Sequence, residues 1–240
     1  MKGVILAGGE GTRLRPLTHV TNKHLLPVYD KPLIYYPLLA MKSAGINDVM
    51  ITSDAEALPS FKKLLDEGSD FGMHIEYAAQ DGPKGIAHAL GLAESFADGG
   101  KVAVMLGDNV FADNDQIKRG VAKFLNENGA RFFLKEVPDP ERFGVAEVKD
   151  SKIVSIIEKP ERPLSNLAVT GLYLYDPSVF EIVKTLKPSK RGELEITDVN
   201  NHYVKLGLAK YELVSGEWID AGTFASLVRA SVFMMNKGLS

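Results

Sequence analysis

A glycine-rich segment with two arginines lies near the N-terminus, and its residue types suit the binding of phosphate. It reads GGEGTRLRPLT over residues 8–18 and directly follows the apolar run of residues 2–7. Glycines let backbone N–H groups approach phosphate oxygens closely, and Arg13 and Arg15 add positive charge. Leu14 replaces the third glycine of the dinucleotide-binding pattern, and the GK[ST] end of the Walker pattern is absent. The segment therefore indicates a phosphate-binding loop of another kind, with a glycine turn and solvated arginines as the structural alternative.

The composition excludes several classes of protein and of site. Of 240 residues, 45% are hydrophobic and 25% are charged, which is typical of a globular protein with a full core. The 28 basic and 31 acidic residues give a net charge of -3, so a broad nucleic-acid-binding face is not expected. The absence of cysteine excludes disulfides, thiolate catalysis, iron–sulfur clusters and thiolate zinc sites. A histidine-built metal site is not expected either, because no i,i+4 pair occurs among His19, His24, His74, His88 and His202.

The apolar runs of the chain are short. The first, within MKGVILAGGEG, is too short for the core of a signal peptide or for a membrane span. No other run approaches the roughly 18 residues that a transmembrane helix needs. These features predict a cytoplasmic protein that does not enter a membrane.

Strand and helix patterns alternate over the first half of the chain. Short aliphatic runs predict strands over residues 2–7, 48–53, 74–79 and 101–106, and helical patterns lie between them over 32–44, 58–67 and 85–97. This alternation favours right-handed crossovers and a mostly parallel sheet with helices on both faces.

From about residue 130, predicted strands follow one another and no longer alternate with helices. Strands are predicted over 131–137, 143–148, 152–158 and 168–175, followed by helices over 177–186, 193–206 and 223–237. No linker rich in proline, serine or glycine separates the halves. We therefore expect one continuous domain over 1–240, with a nucleotide-binding half over about 1–130 and an added half over about 131–240. A ligand cleft is expected at the carboxyl ends of the strands.

Seven collinear segments, together with the glycine-rich one, resemble the sugar-1-phosphate nucleotidyltransferases, and most closely the glucose-1-phosphate thymidylyltransferases among them. The resemblance covers essentially the whole chain and implies a three-layer, Rossmann-like α/β fold, in which a mixed sheet has helices on both faces and the second half binds a sugar phosphate. The segments are NKHLLPVYDKPLIYYPL over 22–38, LGDN over 106–109, DPERFGV over 139–145, EKP over 158–160, AVTGLYLYD over 168–176, RGELEITDVN over 191–200 and WIDAGT over 218–223.

The resemblance also implies a reaction. A thymidylyl group passes from dTTP to α-D-glucose 1-phosphate, giving dTDP-glucose and pyrophosphate, as the first step of dTDP-deoxysugar synthesis such as that of dTDP-rhamnose. Because both reactants are anions, catalysis of in-line attack at the α-phosphorus rests on positioning and charge stabilisation. Mg²⁺ is the implied cofactor, and a homo-oligomer, dimer or tetramer, is the implied assembly.

The family's nucleotide and metal residues have counterparts in this chain. Asp108 and Asp220 match the metal-binding aspartates, and carboxylates are ligands that Mg²⁺ favours. Lys23 and Arg13 match residues on the triphosphate, so these four are the predicted catalytic residues. Taken singly, Asp108 also reads as a strand-end turn residue and Asp220 as a helix cap. The predicted nucleotide-binding set is Gly8, Gly9, Gly11, Thr12, Arg13, Lys23, His24, Gln80, Gly85 and Asp108, of which Gln80 and Gly85 match contacts to the pyrimidine.

The family's sugar-binding residues have counterparts as well. Lys159 matches the residue that holds the sugar phosphate, and Arg191 is a candidate for a further phosphate contact. A solvated surface position is the alternative for these charged residues. The positions that match contacts to the hexose are Asn109, Gly144, Glu158 and Val169.

Some positions depart from the family pattern. His24 stands where many members have glutamine, Phe143 where tyrosine is common and Ala221 where threonine is common. The chain resembles the short form of the family, so the regulatory nucleotide site of longer members is not carried over.

Two other functions remain open: a UTP-dependent uridylyltransferase, since thymine and uracil share one hydrogen-bonding edge, and a non-catalytic nucleotide-sugar sensor. The presence of Lys23, Asp108 and Asp220 favours an enzyme.

Overall fold

A mixed β-sheet lies between two layers of helices in the computed structural model, which describes residues 1–238. Its strands are β1 Lys2–Leu6, β2 Pro27–Val28, β3 Lys31–Pro32, β4 Asp48–Asp54, β5 His74–Gln80, β6 Val102–Leu106, β7 Asn109–Phe111, β8 Ala130–Glu136, β9 Gly144–Lys149, β10 Lys152–Glu158, β11 Leu167–Tyr175, β12 Ala209–Leu213 and β13 Trp218–Asp220. Its α-helices are α1 Tyr35–Ser43, α2 Leu58–Leu65, α3 Ile86–Gly91, α4 Glu94–Ala97, α5 Asn114–Phe124, α6 Val179–Thr185, α7 Ile196–Lys205 and α8 Phe224–Gly238.

The central sheet joins strands from both halves of the chain. Its main path runs β10-β9-β11-β6-β1-β4-β5, and β8 pairs with β11 and with β12. The strands β6, β1, β4 and β5 are mutually parallel. β11 is antiparallel to β6, and it also pairs with β8 and β9. The reversal at β6 and β11 places the ends of parallel strands next to the added strands, where open α/β sheets bind ligands.

The side chains of the central strands alternate between two cores. Along β1 and the residue that follows it, Val4 and Leu6 pack on one face of the sheet, whereas Ile5 and Ala7 pack on the other. The first face is covered by α3, α4, α6 and α7, and the second by α1, α2 and α5. The period of two along each strand therefore separates the layers. The predicted three-layer α/β fold is confirmed.

Several element boundaries differ from the prediction. The helix expected over 85–97 is divided into α3 and α4, since Gly91 ends α3 and glycine is a poor helix former. The predicted elements do not include the helix α5 or the short strands β2, β3, β7, β12 and β13. α5 is capped by the Asp113 carboxylate, which accepts from the Gln116 N–H at 3.0 Å, and it buries Ile117, Val121 and Phe124 at helical spacing.

Across residues 1–238, no helix is both long and apolar enough to cross a membrane. The boundary between the two halves stays a prediction, and the predicted end of the domain at Leu239 and Ser240 lies outside the described residues.

Candidate active site

A cleft of about 340 Å³ opens where β1, β5 and β6 end, and residues from both halves of the chain line it. Its lining includes the basic residues Arg13, Lys23 and Lys159 and the acidic residues Asp108, Glu158 and Asp220. The fourteen predicted site residues that line the cleft are Gly8, Gly9, Arg13, Lys23, His24, Gln80, Gly85, Asp108, Asn109, Gly144, Glu158, Lys159, Val169 and Asp220.

A short ribbon brings the two predicted metal-binding aspartates together. β7 and β13 pair antiparallel, with Asp220 opposite Asn109, the residue after Asp108. The Ala221 N–H donates to the Asp108 carbonyl oxygen at 2.9 Å. Two residues that are 112 positions apart in the chain are thus held side by side at one end of the sheet.

Lys23 and Asp108 form an ion pair on the floor of the cleft. Lys23 Nζ lies 2.5 Å from Asp108 Oδ2, and the two side chains are 16% and 9% exposed. Burial opposes ionisation of Asp108, but the charge and hydrogen bond of Lys23 outweigh it and hold the pKa of that carboxyl below its usual range. Asp108 is therefore a carboxylate at neutral pH.

Asp220 is in the opposite electrostatic situation. Its Oδ1 is buried and has no hydrogen-bond partner among residues 1–238. Burial, and then the negative charge of Asp108, raise the pKa of Asp220 to about 6. The guanidinium of Arg13 is close by: a Cβ on Gly222 would lie 2.8 Å from an Arg13 nitrogen and 2.8 Å from Asp220 Oδ1. An unpaired carboxylate oxygen beside a second carboxylate is a site that favours a cation.

The amide of Asn109 is oriented by two donors. Trp218 Nε1 and the Gly171 N–H donate to Asn109 Oδ1, at 2.6 and 3.0 Å respectively. The amide nitrogen must then face the other way, and Nδ2 donates to Asp108 Oδ1 at 3.0 Å. Trp218, which packs on Phe143 with 5.1 Å between ring centroids, therefore acts on Asp108 through Asn109.

His24 lies in the wall of the cleft as a neutral ring. It is buried, and its Nδ1 lies 2.7 Å from Asn22 Oδ1. Burial, followed by the charge of Lys23, lowers the pKa of His24 to about 3. This imidazole cannot serve as a cation for a triphosphate at neutral pH.

The glycine-rich loop and Gln80 are in close contact. A Cβ on Gly8 would lie 1.8 Å from Gln80 Nε2, so only glycine at this position allows the amide to lie against the loop. Gln80 ends β5, and Gly9 has a φ of 102°, which glycine adopts without strain. The predicted phosphate-binding loop therefore packs directly against Gln80, the residue predicted to contact the base.

Gly85, at the start of α3, is a second position that requires glycine. Its φ is 102°, and an added Cβ would lie 2.4 Å from the Leu194 carbonyl oxygen and 2.7 Å from its nitrogen. We expect Gly85→Ala to lower the free energy of unfolding by about 2 kcal/mol or more, measured by denaturant titration. Gly99→Ala is the matched control, since its φ is also positive (66°) and no atom lies within 4 Å. Equal losses in the two variants would contradict the steric explanation.

The sugar-binding residues predicted from EKP and FGV share one corner of the cleft. β9 and β10 pair so that Gly144 lies opposite Glu158. The Thr197 hydroxyl donates to Glu158 Oε2 at 2.6 Å, and Lys159 Nζ lies 3.7 Å from Glu158 Oε1. The Lys159 backbone is left-handed, with a φ of 44°, and its N–H donates to the Phe143 carbonyl oxygen at 2.9 Å. The backbone turn thus directs Glu158 and Lys159 to the same region.

Three predicted residues do not line the cleft. Gly11 is turned toward Thr18, whose hydroxyl donates to its carbonyl oxygen at 2.8 Å. Thr12 is exposed at the start of a single 3₁₀ turn. Arg191 is absent from the lining, and its guanidinium forms an ion pair with Glu195 at 2.8 Å. The roles predicted for these three residues stay predictions.

Other residues that line the cleft have no role predicted from the sequence. Arg142 and Trp218 stand inside the motifs DPERFGV and WIDAGT, so the motifs themselves were the available signal. The remaining lining residues without a predicted role include Lys84, Phe143, Gly171, Tyr173, Glu193, Thr197 and Asn200.

The comparisons with known proteins agree with one another. The model of the nucleotidyl transferase family matches residues 2–237. A glucose-1-phosphate thymidylyltransferase of Neisseria meningitidis serogroup A is 47% identical over 237 residues, which cover 98% of this chain and 82% of that protein. The one from Mycolicibacterium smegmatis is 45% identical over 237 residues, with the same coverage of 98% and 82%.

Solved structures of two related proteins superpose on this chain over nearly its full length. A Bacillus anthracis protein named as a candidate glucose-1-phosphate thymidylyltransferase, solved with a sucrose, superposes with a TM-score of 0.93. It is 50% identical, and the match covers 97% of this chain and 94% of that one. A UDP-glucose pyrophosphorylase solved with UDP-glucose has a TM-score of 0.88 at 26% identity, with 98% of each chain covered.

Proposed function

Because the chain belongs to the nucleotidyl transferase family, we propose that it is a glucose-1-phosphate thymidylyltransferase. It transfers the thymidylyl group of dTTP to glucose 1-phosphate and forms dTDP-glucose and pyrophosphate. The single observation that carries this assignment is the 43–47% identity over nearly the full chain to enzymes of that name. The similarity to a UDP-glucose pyrophosphorylase, at 26% identity, is weaker and makes UTP the second candidate nucleotide.

The proposed reaction uses the two ends of the cleft. The glycine-rich loop and Gln80 bind the nucleotide, while Gly144, Glu158 and the backbone at Val169 bind the hexose. A phosphate oxygen of glucose 1-phosphate attacks the α-phosphorus, the new P–O bond forms, and the bond to the bridging oxygen of pyrophosphate breaks. Lys23 and Arg13 neutralise charge on the triphosphate, and Lys159 holds the sugar phosphate.

We also propose a divalent cation, Mg²⁺, as cofactor. Asp108 and Asp220 would hold it, and the unpartnered buried Oδ1 of Asp220 supports this assignment. Such ions commonly take one or two carboxylates and complete their coordination with phosphate oxygens and water. When bound, the ion supplies positive charge that stabilises the phosphates during the transfer. The ion pair with Lys23 keeps Asp108 ionised, and Asn109 fixes the direction of its carboxylate.

The proposed function is tested by identifying the products. The protein is incubated with dTTP, glucose 1-phosphate and Mg²⁺, and nucleotides are analysed by mass spectrometry. We expect dTDP-glucose and pyrophosphate in equal amounts, with no dTDP. Hydrolysis to dTDP and phosphate, or no turnover at all, would contradict the assignment.

Trp218→Phe tests whether the indole N–H orients the metal-binding carboxylate. The variant keeps an aromatic ring against Phe143 but leaves Asn109 Oδ1 with one donor in place of two. We expect the Mg²⁺ concentration for half-maximal rate to rise on the order of tenfold, because residues behind metal ligands typically contribute 10- to 100-fold. An unchanged Mg²⁺ requirement would show that Asn109 keeps its orientation without the indole.

We propose a homo-oligomer, because the outer face of α8 carries exposed apolar side chains at helical spacing. Their exposed fractions are 45% for Phe224, 62% for Val228, 47% for Val232 and 39% for Met235.

A cytoplasmic location is proposed because nucleoside triphosphates and sugar phosphates are cytoplasmic metabolites.

A further inference from the structure

A carboxylate outside the predicted site connects the glycine-rich loop to Gln80. Asp54 is the last residue of β4, and its two oxygens accept different hydrogen bonds. The Gly9 N–H donates to Oδ2 at 3.1 Å, and Gln80 Nε2 donates to Oδ1 at 3.0 Å. Asp54 does not line the cleft, whereas both of its donors do. It therefore acts on the cleft through the two groups that it holds.

The chemistry of the carboxylate determines the orientation of the Gln80 amide. An ionised carboxylate accepts hydrogen bonds and donates none, so the amide end that faces Asp54 must be the NH₂ group. The opposite end, Oε1, is then the acceptor side of the amide. With a neutral partner such as asparagine, both orientations of Gln80 would find a hydrogen bond.

Resting on the proposed function, we propose that Asp54 is a positioning residue that sets the selection of the pyrimidine base. It holds Gln80 so that Oε1 accepts from the base and Nε2 stays directed at Asp54. An acceptor suits thymine and uracil, which carry an N–H at ring position 3. It disfavours cytosine, which has a lone pair at that position, so two acceptors would face each other without a proton.

The same contact couples base selection to the phosphate-binding loop. The Gly9 N–H of that loop donates to Oδ2 of Asp54. Because Gly8 lies against the Gln80 amide, the loop and the amide shift together if Asp54 is lost. Asp54 thus selects the class of base, a pyrimidine with N3–H, but does not distinguish thymine from uracil.

The test compares dTTP with dCTP, which share one sugar and one triphosphate. Asp54→Asn places an NH₂ group against either Gly9 or Gln80, because one amide oxygen cannot replace two carboxylate oxygens. We expect the ratio of kcat/KM for dTTP over dCTP to fall at least about tenfold, the size typical of a hydrogen bond in a polar site. Asp54→Ala removes both acceptors and is expected to lower the ratio as well.

The matched control is Asp48→Asn, at the other end of the same strand. Its side chain is 58% exposed and faces His74, so the variant should keep the ratio of the unsubstituted protein. Thermal unfolding establishes that each variant is folded, and equilibrium binding of dTTP and dCTP measures selection without turnover.

The outcomes separate the inference from the proposed function. If the unsubstituted protein binds dTTP over dCTP but makes no dTDP-glucose, the proposed function fails, and the binding ratio of the Asp54 variants still tests the inference. If it makes dTDP-glucose and both folded Asp54 variants keep its ratio, or lose both nucleotides in equal proportion, the inference is overturned. Failure of the unsubstituted protein to prefer dTTP over dCTP would also overturn it.

Discussion

Replacing Lys23 by alanine is expected to lower the rate of dTDP-glucose formation at least about 100-fold. The ammonium group of Lys23 lies in the cleft beside Asp108, where phosphate charge must be neutralised during the transfer. Removing a preorganised charge of this kind typically costs about 10²- to 10³-fold in rate. The measurement is pyrophosphate release at saturating substrates, compared with the unsubstituted protein.

The same substitution should also destabilise the fold. With Lys23 gone, Asp108 is left as a buried carboxylate without its ion-pair partner, and breaking a buried pair on one side typically costs about 3–5 kcal/mol. The double variant Lys23→Ala, Asp108→Asn removes the unpaired charge, so it should regain part of the free energy of unfolding without regaining the rate. Turnover that is unchanged in Lys23→Ala would remove Lys23 from the mechanism.

Asp220→Asn is expected to affect rate and stability in opposite directions. The variant loses a carboxylate that is proposed to hold Mg²⁺, so the rate should fall about 10²-fold or more. The fold should become more stable, because ionised Asp220 is buried next to the charge of Asp108. Its pKa rises from 3.8 to about 6, and at neutral pH this opposes folding by about 1.4 kcal/mol for each pKa unit.

The direction of the stability change follows from linkage. A carboxyl whose pKa is raised on folding destabilises the folded state above its unfolded pKa, and the full cost is reached above pH 6. We expect Asp220→Asn to raise the free energy of unfolding by about 1–2 kcal/mol at pH 7.5, less than the full cost because the new amide needs partners. Glu217→Gln, an exposed change close by, should alter it by under about 0.5 kcal/mol. A loss of stability with full activity in Asp220→Asn would contradict both roles.

The sequence predicts the layers of the fold better than its short elements. Buried strands such as β1 and β6 show as aliphatic runs, since both of their faces are covered and nearly every side chain is apolar. The three-residue strands β7 and β13 carry no such signal, because their pairing depends on a contact between segments that lie far apart in the chain. The helix α5 had a readable signal in the Asp113 cap and the spacing of Ile117, Val121 and Phe124.

In the cleft as well, local sequence motifs predict some residues, whereas other residues depend on contacts between distant segments. Lys23, Asp108 and Asp220 were predicted from motifs, and the structure brings all three to one cleft. Trp218 and Asp54 act through Asn109 and Gln80, and such indirect roles depend on distances that no local pattern contains. Arg191 lies within a motif but is not among the residues that line the cleft, and its ion pair with Glu195 is a contact that the motif alone does not indicate.

Competition between nucleotides in a single reaction measures whether this cleft joins dTTP to glucose 1-phosphate in preference to other nucleotides. The protein is given equal concentrations of dTTP, UTP, CTP, ATP and GTP with limiting glucose 1-phosphate and Mg²⁺, and the nucleotide sugars are quantified at early times. The product ratios then report the relative kcat/KM values. We predict that dTDP-glucose exceeds every other product. An excess of UDP-glucose would show that the enzyme is a uridylyltransferase, and the absence of any nucleotide sugar would show that the cleft does not catalyse the transfer.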